Sequence, residues 1–127
     1  MVNFGPPDTV PAKFQGRRFY AHNPQVTLMR TTAAECAELG RILSEKLNAS
    51  KGPVTVLIPL RGISVISAPG QPFHDPAADE ALFATLKQRL RPGIPVLELD
   101  ANINDPAFAE ACLASLLNGL KAGAGPA

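Results

Sequence analysis

The sequence predicts an α/β fold: a three-layer sandwich with a mostly parallel sheet, built from three βα units. Such an arrangement corresponds to one half of a Rossmann/flavodoxin-like fold. Strand-like and helix-like patterns alternate three times between residues 25 and 120. The connections have the length that right-handed crossovers need. One strand, residues 54–58, is an almost unbroken apolar run, as sheets covered on both faces require. At 127 residues the chain has the usual size of one domain.

Three regions follow from the distribution of glycine and proline. Residues 1–24 are expected to form an irregular covering segment with one short strand, because Gly and Pro interrupt every short apolar run. Residues 25–120 form the expected α/β core. Residues 121–127 are rich in Gly, Ala and Pro and are expected to form a flexible tail.

The first βα unit is predicted from a strand over 25–30 and a helix that begins after Thr32. Thr32 and Glu35 have the spacing of a capping box, in which a hydroxyl and a carboxylate satisfy backbone amides reciprocally. Helical periodicity places five residues on one buried face: Cys36, Leu39, Gly40, Leu43 and Leu47.

The other two units each have a helix that starts at an Asp-Pro pair. A long loop, 60–74, joins strand 54–58 to a helix starting at Asp75, and strand 96–100 precedes a helix starting at Asp105. Aspartate caps a helix, and proline suits the first helical position. The last helix is expected to pack through Phe108, Ala109, Cys112, Leu113, Leu116 and Leu117.

Three parallel strands alone would leave both edges of the sheet open. Parallel strands in proteins are rarely left uncovered. We therefore expect the chain to pair with a second copy as a homodimer or with a missing N-terminal domain. The net charge is +1, and the basic residues are scattered, so we expect no nucleic acid partner. The one basic pair, Arg17 and Arg18, is interpreted as a solvated loop.

Two cysteines, Cys36 and Cys112, fall at apolar helical positions and form no motif. They are interpreted as buried thiols, which favours a reducing compartment and a cytoplasmic location. No apolar stretch approaches the ~20 residues needed to cross a bilayer, so no membrane partner is expected.

Ligands of open α/β sheets bind beyond the carboxyl ends of the strands. The residues there are candidates for binding a small anionic ligand, with the two arginines as bidentate clamps: Arg30, Thr31, Arg61, Gly62, Ser64, Asn102 and Asn104. Asp100 and His74 are the candidates for proton transfer. An equally simple alternative is that the arginines pair with Asp100 or with loop carbonyls, that His74 packs in its loop, and that the asparagines shape a turn.

Known cofactor and metal motifs are missing from the sequence. It contains neither a Walker motif nor a dinucleotide fingerprint, and no metal-ligand spacing, so no metal site is expected.

Several segments together resemble one known family, in the same order along the chain: MVNFG at 1–5, NP at 23–24, VTLMRT at 26–31, PLRG at 59–62, PG at 69–70, FHDP at 73–76 with Asp79, and NDPAFA at 104–109. They are similar to the C-terminal part of an uncharacterised ATP-binding family of the UPF0261 class, whose plant members include the tomato mosaic virus resistance protein. The resemblance implies an α/β fold, a bacterial cytosolic setting and a tendency to dimerise. It also implies that this chain is a fragment of a longer protein and that any ATP site lies outside it.

Three functions remain open from the sequence. The first is a ligand-binding or assembly module of a larger protein, with no catalysis of its own. The second is an enzyme domain acting on a small acidic substrate, a carboxylate or a phosphate. The third is a purely structural dimerisation domain.

Overall fold

A computed structural model describes residues 1–123, and in this range the chain forms five strands and three α-helices. In chain order they are β1 (Val2–Phe4), β2 (Phe19–Asn23), β3 (Val26–Met29), α1 (Ala33–Asn48), β4 (Val56–Pro59), α2 (Pro76–Arg89), β5 (Val96–Leu99) and α3 (Pro106–Gly123). Of the expected flexible tail, residues 121–123 belong to α3, and residues 124–127 lie outside the described residues.

The first predicted strand belongs to an antiparallel sheet and not to the parallel one. β3 lies between β1 and β2, with Met29 opposite Val2 on one side and opposite Phe19 on the other. Only Pro24 and Gln25 separate β2 from β3. A connection this short can form a hairpin but cannot form the crossover that parallel strands need. The prediction of three parallel strands is therefore wrong at its first strand.

The parallel sheet consists of β4 and β5 within residues 1–123, with Val56 opposite Val96 and Pro59 opposite Leu99. Alternation of side chains directs Val56 and Ile58 to one face, where they form the main core with Phe83 and Leu86 of α2. The mixed α/β class is confirmed.

Helix α1 begins as predicted. The Glu35 amide donates to Thr32 Oγ1 at 3.2 Å, and the Thr32 amide donates to Glu35 Oε2 at 2.8 Å, which completes the capping box. The predicted buried face is partly wrong, because Leu39 and Leu43 are exposed. The buried residues of α1 are instead spaced by four: Cys36, Gly40 and Ser44.

A close crossing of α1 and α2 explains that shift. A Cβ atom at Gly40 would lie 2.7 Å from the Leu82 carbonyl oxygen and 3.1 Å from the Leu86 amide nitrogen. The two backbones meet at this glycine, so the line 36–40–44 faces α2. Leu39 and Leu43 lie beside the contact.

The two Asp-Pro helix starts are both present, but their aspartates act differently. Asp75 caps α2 by accepting from the Ala78 amide at 3.1 Å. Asp105 precedes α3, but its carboxylate accepts from the Asn102 amide at 2.8 Å and therefore stabilises the preceding loop.

Candidate functional site

Arg30 lies at the end of β3 and is buried, with 2% of its side chain exposed. Its Nη2 donates to Asp79 Oδ1 at 2.5 Å and to the Asp75 carbonyl at 3.3 Å, and its Nε donates to the Phe73 carbonyl at 3.0 Å. Its Nη1 has no hydrogen-bond partner among residues 1–123. The guanidinium thus joins β3 to the first turn of α2. The contacts with backbone carbonyls are part of the alternative that the sequence left open, whereas the acidic partner is Asp79 and not Asp100.

Arg61 and Asp100 meet at the carboxyl ends of β4 and β5. Arg61 Nε lies 2.6 Å from Asp100 Oδ1, and Nη2 lies 2.9 Å from Oδ2, so the ion pair is bidentate. The side chains are 61% and 73% exposed. The hydrogen bond from Arg61 lowers the pKa of Asp100, and the same contact raises the pKa of Arg61. Ion pairs this exposed contribute little to stability, because water competes for both groups.

Gly62 and Asn102 lock the two loops that follow β4 and β5. The Asn102 side-chain amide donates to the Ser64 carbonyl at 3.0 Å and to the Arg61 carbonyl at 3.4 Å. Gly62 has a φ of +126°, and a Cβ atom there would lie 2.9 Å from Asn102 Nδ2. A residue with a side chain at position 62 would therefore have a strained backbone, and its Cβ atom would collide with the Asn102 side chain.

The remaining asparagine and serine candidates contribute backbone groups to this lock. The Asn104 amide donates to Asn102 Oδ1 at 3.0 Å, which closes a turn. The Ser64 carbonyl accepts from Asn102 and from the Ser67 hydroxyl, the latter at 3.0 Å. These contacts fix the loops after β4 and β5 relative to each other.

Thr31 and His74 lie in different surroundings. Thr31 is buried, and its hydroxyl oxygen accepts from Cys36 Sγ at 3.3 Å. His74 is exposed, and its Nδ1 lies 3.2 Å from the Ser67 carbonyl oxygen. The Arg18 guanidinium donates to the His74 carbonyl at 3.0 Å, which helps to fix the long loop.

A cavity of about 500 Å³ opens at these strand ends, between the loops and the start of α2. We call it the strand-end cavity. Four of the predicted site residues line it: Arg61, Gly62, His74 and Asp100. The other five, Arg30, Thr31, Ser64, Asn102 and Asn104, do not belong to its lining.

Two carboxylates of α2 line the cavity although no role was predicted for them from the sequence: Asp79 and Glu80. A signal for Asp79 was present, since it precedes Phe83 by four residues and Leu86 by seven and so shares their buried face. A carboxylate on a buried face requires a cation, and Arg30 supplies it.

Arg17 also has a structural role that differs from its interpretation as solvated. Its Nη1 and Nη2 donate to the two Glu35 carboxylate oxygens at 3.0 and 2.6 Å, and Nη2 donates to the Arg30 carbonyl at 2.9 Å. This bidentate contact attaches the covering segment to the capping box of α1. Glu35 thereby serves both Thr32 and Arg17.

Two other kinds of feature, a metal cluster and a membrane-spanning helix, are absent from residues 1–123. No group of three or more His, Cys, Asp or Glu side chains in this range could hold a metal ion. In the same range, no helix combines the length and apolarity that crossing a membrane requires.

Comparison with known proteins matches residues 1–120 to the family model described as "Uncharacterised protein family (UPF0261) C-terminal domain". A UPF0261 protein of Rhizobium meliloti is 50% identical over 117 residues, and one of Clostridium tetani is 46% identical over 119 residues. The ToMV resistance protein Tm-1 of Solanum lycopersicum is 42% identical over 119 residues.

These alignments cover 91%, 93% and 92% of this chain. They cover only 29%, 30% and 16% of the respective relatives. The chain therefore spans less than a third of the length of each of these three proteins.

Proposed function

The chain belongs to the UPF0261 family, as its C-terminal domain, and we propose that it is an assembly module with no catalysis of its own. Its partner is the part of a UPF0261 protein that this chain does not match. The observation that carries the proposal is an exposed apolar face on α3. Three further features support it: a groove beside α3, the size of the parallel sheet and the length of the relatives.

The α3 face consists of four leucines that follow helical spacing and are between 47% and 62% exposed: Leu113, Leu116, Leu117 and Leu120. Of the residues through which α3 was expected to pack, Phe108 alone is buried. Single exposed leucines are ordinary, but a contiguous apolar stripe marks an interaction surface. We therefore expect a partner to bury this apolar stripe.

An apolar groove of about 420 Å³ continues the α3 face onto the parallel sheet. Leu116 and Leu120 line it on the helix side, and Leu57 lines it on the β4 side. Leu57 points away from the core formed by Val56 and Ile58, because side chains alternate along a strand. The second face of the sheet is thus apolar as well.

The parallel sheet is small for its type. β4 and β5 pair only with each other among residues 1–123, and Leu97, opposite Leu57, is 44% exposed. Parallel sheets are normally covered on both faces, and open edges invite further strands. We expect the three-layer sandwich predicted from sequence to be complete once the partner covers this face.

The length of the relatives favours the rest of a UPF0261 protein as the occupant. About 70% of each bacterial relative lies outside its match to this chain, as follows from the covered shares of 29% and 30%. In those proteins the α3 face and the unmatched chain are covalently linked, so the local concentration of the partner is high. Among the residues that the structure describes, the groove lining carries no charged side chain, which suits an apolar partner surface.

The test compares binding of the unmatched part of the Rhizobium meliloti relative to this chain and to two variants. Leu116→Glu combined with Leu120→Glu places two charges in the α3 face. Val65→Glu is the matched control, since Val65 is also exposed and apolar but lies in the loop after β4. Light scattering after gel filtration gives the mass of each mixture, and circular dichroism checks the fold.

We expect a one-to-one complex with the unaltered chain and with Val65→Glu, and no complex with the double variant at unchanged helix content. Failure of the unaltered chain to form the complex would overturn the proposal. A dimer of the chain alone that the double variant disrupts, without capture of the relative's remainder, would instead identify a structural dimerisation domain.

A further inference from the structure

We propose that the strand-end cavity binds a small zwitterion, a molecule that carries both a carboxylate and a protonated amine. The proposal does not depend on the assembly role, because the cavity and the α3 face share no lining residue. It rests on three features of the cavity: its position and size, its fixed wall, and the two signs of charge that line it.

Position and size suit a small molecule. The strand-end cavity lies where β4 and β5 end, which is the usual place for ligands in parallel sheets. Its volume of about 500 Å³ falls within the range of ordinary ligand pockets. The hydrogen bond from Asn102 to the Ser64 carbonyl and the close packing of Gly62 against Asn102 fix one wall of the cavity. Binding therefore has to order few protein groups, which keeps its entropic cost low.

The charges along the lining argue against a simple anion or a simple cation. Arg61 is the arginine of the lining, whereas Asp79, Glu80 and Asp100 are its carboxylates. Arg30 neutralises Asp79 from behind. An anion would compete with Asp100 for Arg61 and would face Glu80, and a cation would meet the Arg61 guanidinium.

A zwitterion satisfies both signs. Its carboxylate takes the bidentate position on Arg61 that Asp100 now occupies, and its ammonium pairs with Asp100 and Glu80. The Arg61–Asp100 pair is exposed, so opening it costs little, and the ligand replaces it with charge-assisted hydrogen bonds of the same kind. Leu60 and Phe83 provide apolar surface for the carbon atoms between the two charges.

Five small probes separate this proposal from its alternatives. Glycine, β-alanine and γ-aminobutyrate carry both charges at increasing separation, whereas acetate and propylamine carry one charge each. Titration calorimetry with the whole chain measures the affinity of each probe. We expect at least one zwitterion to bind at least about tenfold more tightly than acetate and propylamine.

Two variants and a control assign the binding to this cavity. Arg61→Gln and Asp100→Asn each remove one charge from an exposed side chain and are expected to weaken zwitterion binding by about tenfold or more. Arg41→Gln, which removes a partly exposed arginine of α1 outside the cavity lining, is expected to leave zwitterion binding unchanged. Circular dichroism checks that each variant is folded.

Three results would each overturn the proposal. They are no binding of any probe, tighter binding of acetate or propylamine than of every zwitterion, and zwitterion binding that survives both cavity substitutions.

Discussion

The Arg30 guanidinium and the Asp79 carboxylate form a buried ion pair, with Nη2 and Oδ1 2.5 Å apart, that connects the antiparallel sheet to α2. Two backbone carbonyls, those of Phe73 and Asp75, accept further hydrogen bonds from the same guanidinium. Arg30 therefore holds the end of the long loop and the start of α2 in place. Any site at the strand ends depends on this contact through Asp79, which lines the cavity.

Asp79→Asn is expected to destabilise the fold by about 3–5 kcal/mol, because it leaves the buried Arg30 charge without a counter-charge. Urea unfolding, monitored by circular dichroism, measures the change in the free energy of unfolding. Glu38→Gln is the matched control: it also removes one carboxylate from an arginine pair, but the Arg41 and Glu38 side chains are 36% and 54% exposed, and we expect little change. Equal effects of the two substitutions would show that burial of the Arg30–Asp79 pair is not what matters.

Local signals gave correct predictions because they depend on residues close in sequence. The capping box at Thr32 and Glu35 and the aspartate cap at Asp75 are each formed by groups three residues apart. Strand 96–100 was predicted by its apolar pattern, and its observed counterpart is β5.

Long-range partners could not be read in the same way. The pattern of residues 25–30 predicts a strand but does not say which strands lie beside it. Both neighbours of β3 are short strands within the Gly- and Pro-rich segment 1–24. Asp79, the acidic partner of Arg30, is 49 residues away in the chain. The sequence therefore could not show that Arg30 binds Asp79 and not a ligand, because the fold determines which groups meet.

Gly40→Ala is expected to destabilise the fold by about 1–3 kcal/mol, although alanine is the better helix former. The new Cβ atom would meet the Leu82 carbonyl oxygen at 2.7 Å, and α1 and α2 would have to separate. Gly52→Ala is the control, since a Cβ atom there has no neighbour within 4 Å among the described residues. Thermal unfolding of both variants measures the difference. An unfolding midpoint of Gly40→Ala equal to that of the unaltered chain would mean that the helices can move apart freely.

Glu35 is expected to make stability depend on pH. The hydrogen bond from Arg17, followed by that from the Thr32 amide, lowers the pKa of this carboxyl in the folded chain. The folded state then binds fewer protons than the unfolded state. The resulting stabilisation is complete above about pH 4.3, the ordinary pKa of glutamate, and is lost as the pH falls through the folded pKa.

Glu35→Gln tests this dependence, because glutamine can still accept from the Thr32 amide but carries no charge for Arg17. We expect the unaltered chain to be more stable than the variant near neutral pH and the difference to shrink as the pH falls below about 4. Urea unfolding at several pH values measures both free energies of unfolding. Glu110→Gln serves as the control, since Glu110 is exposed on α3 and forms no ion pair with any residue between 1 and 123. A difference between the unaltered chain and Glu35→Gln that stays constant with pH would show that Arg17 and Glu35 are not coupled through charge.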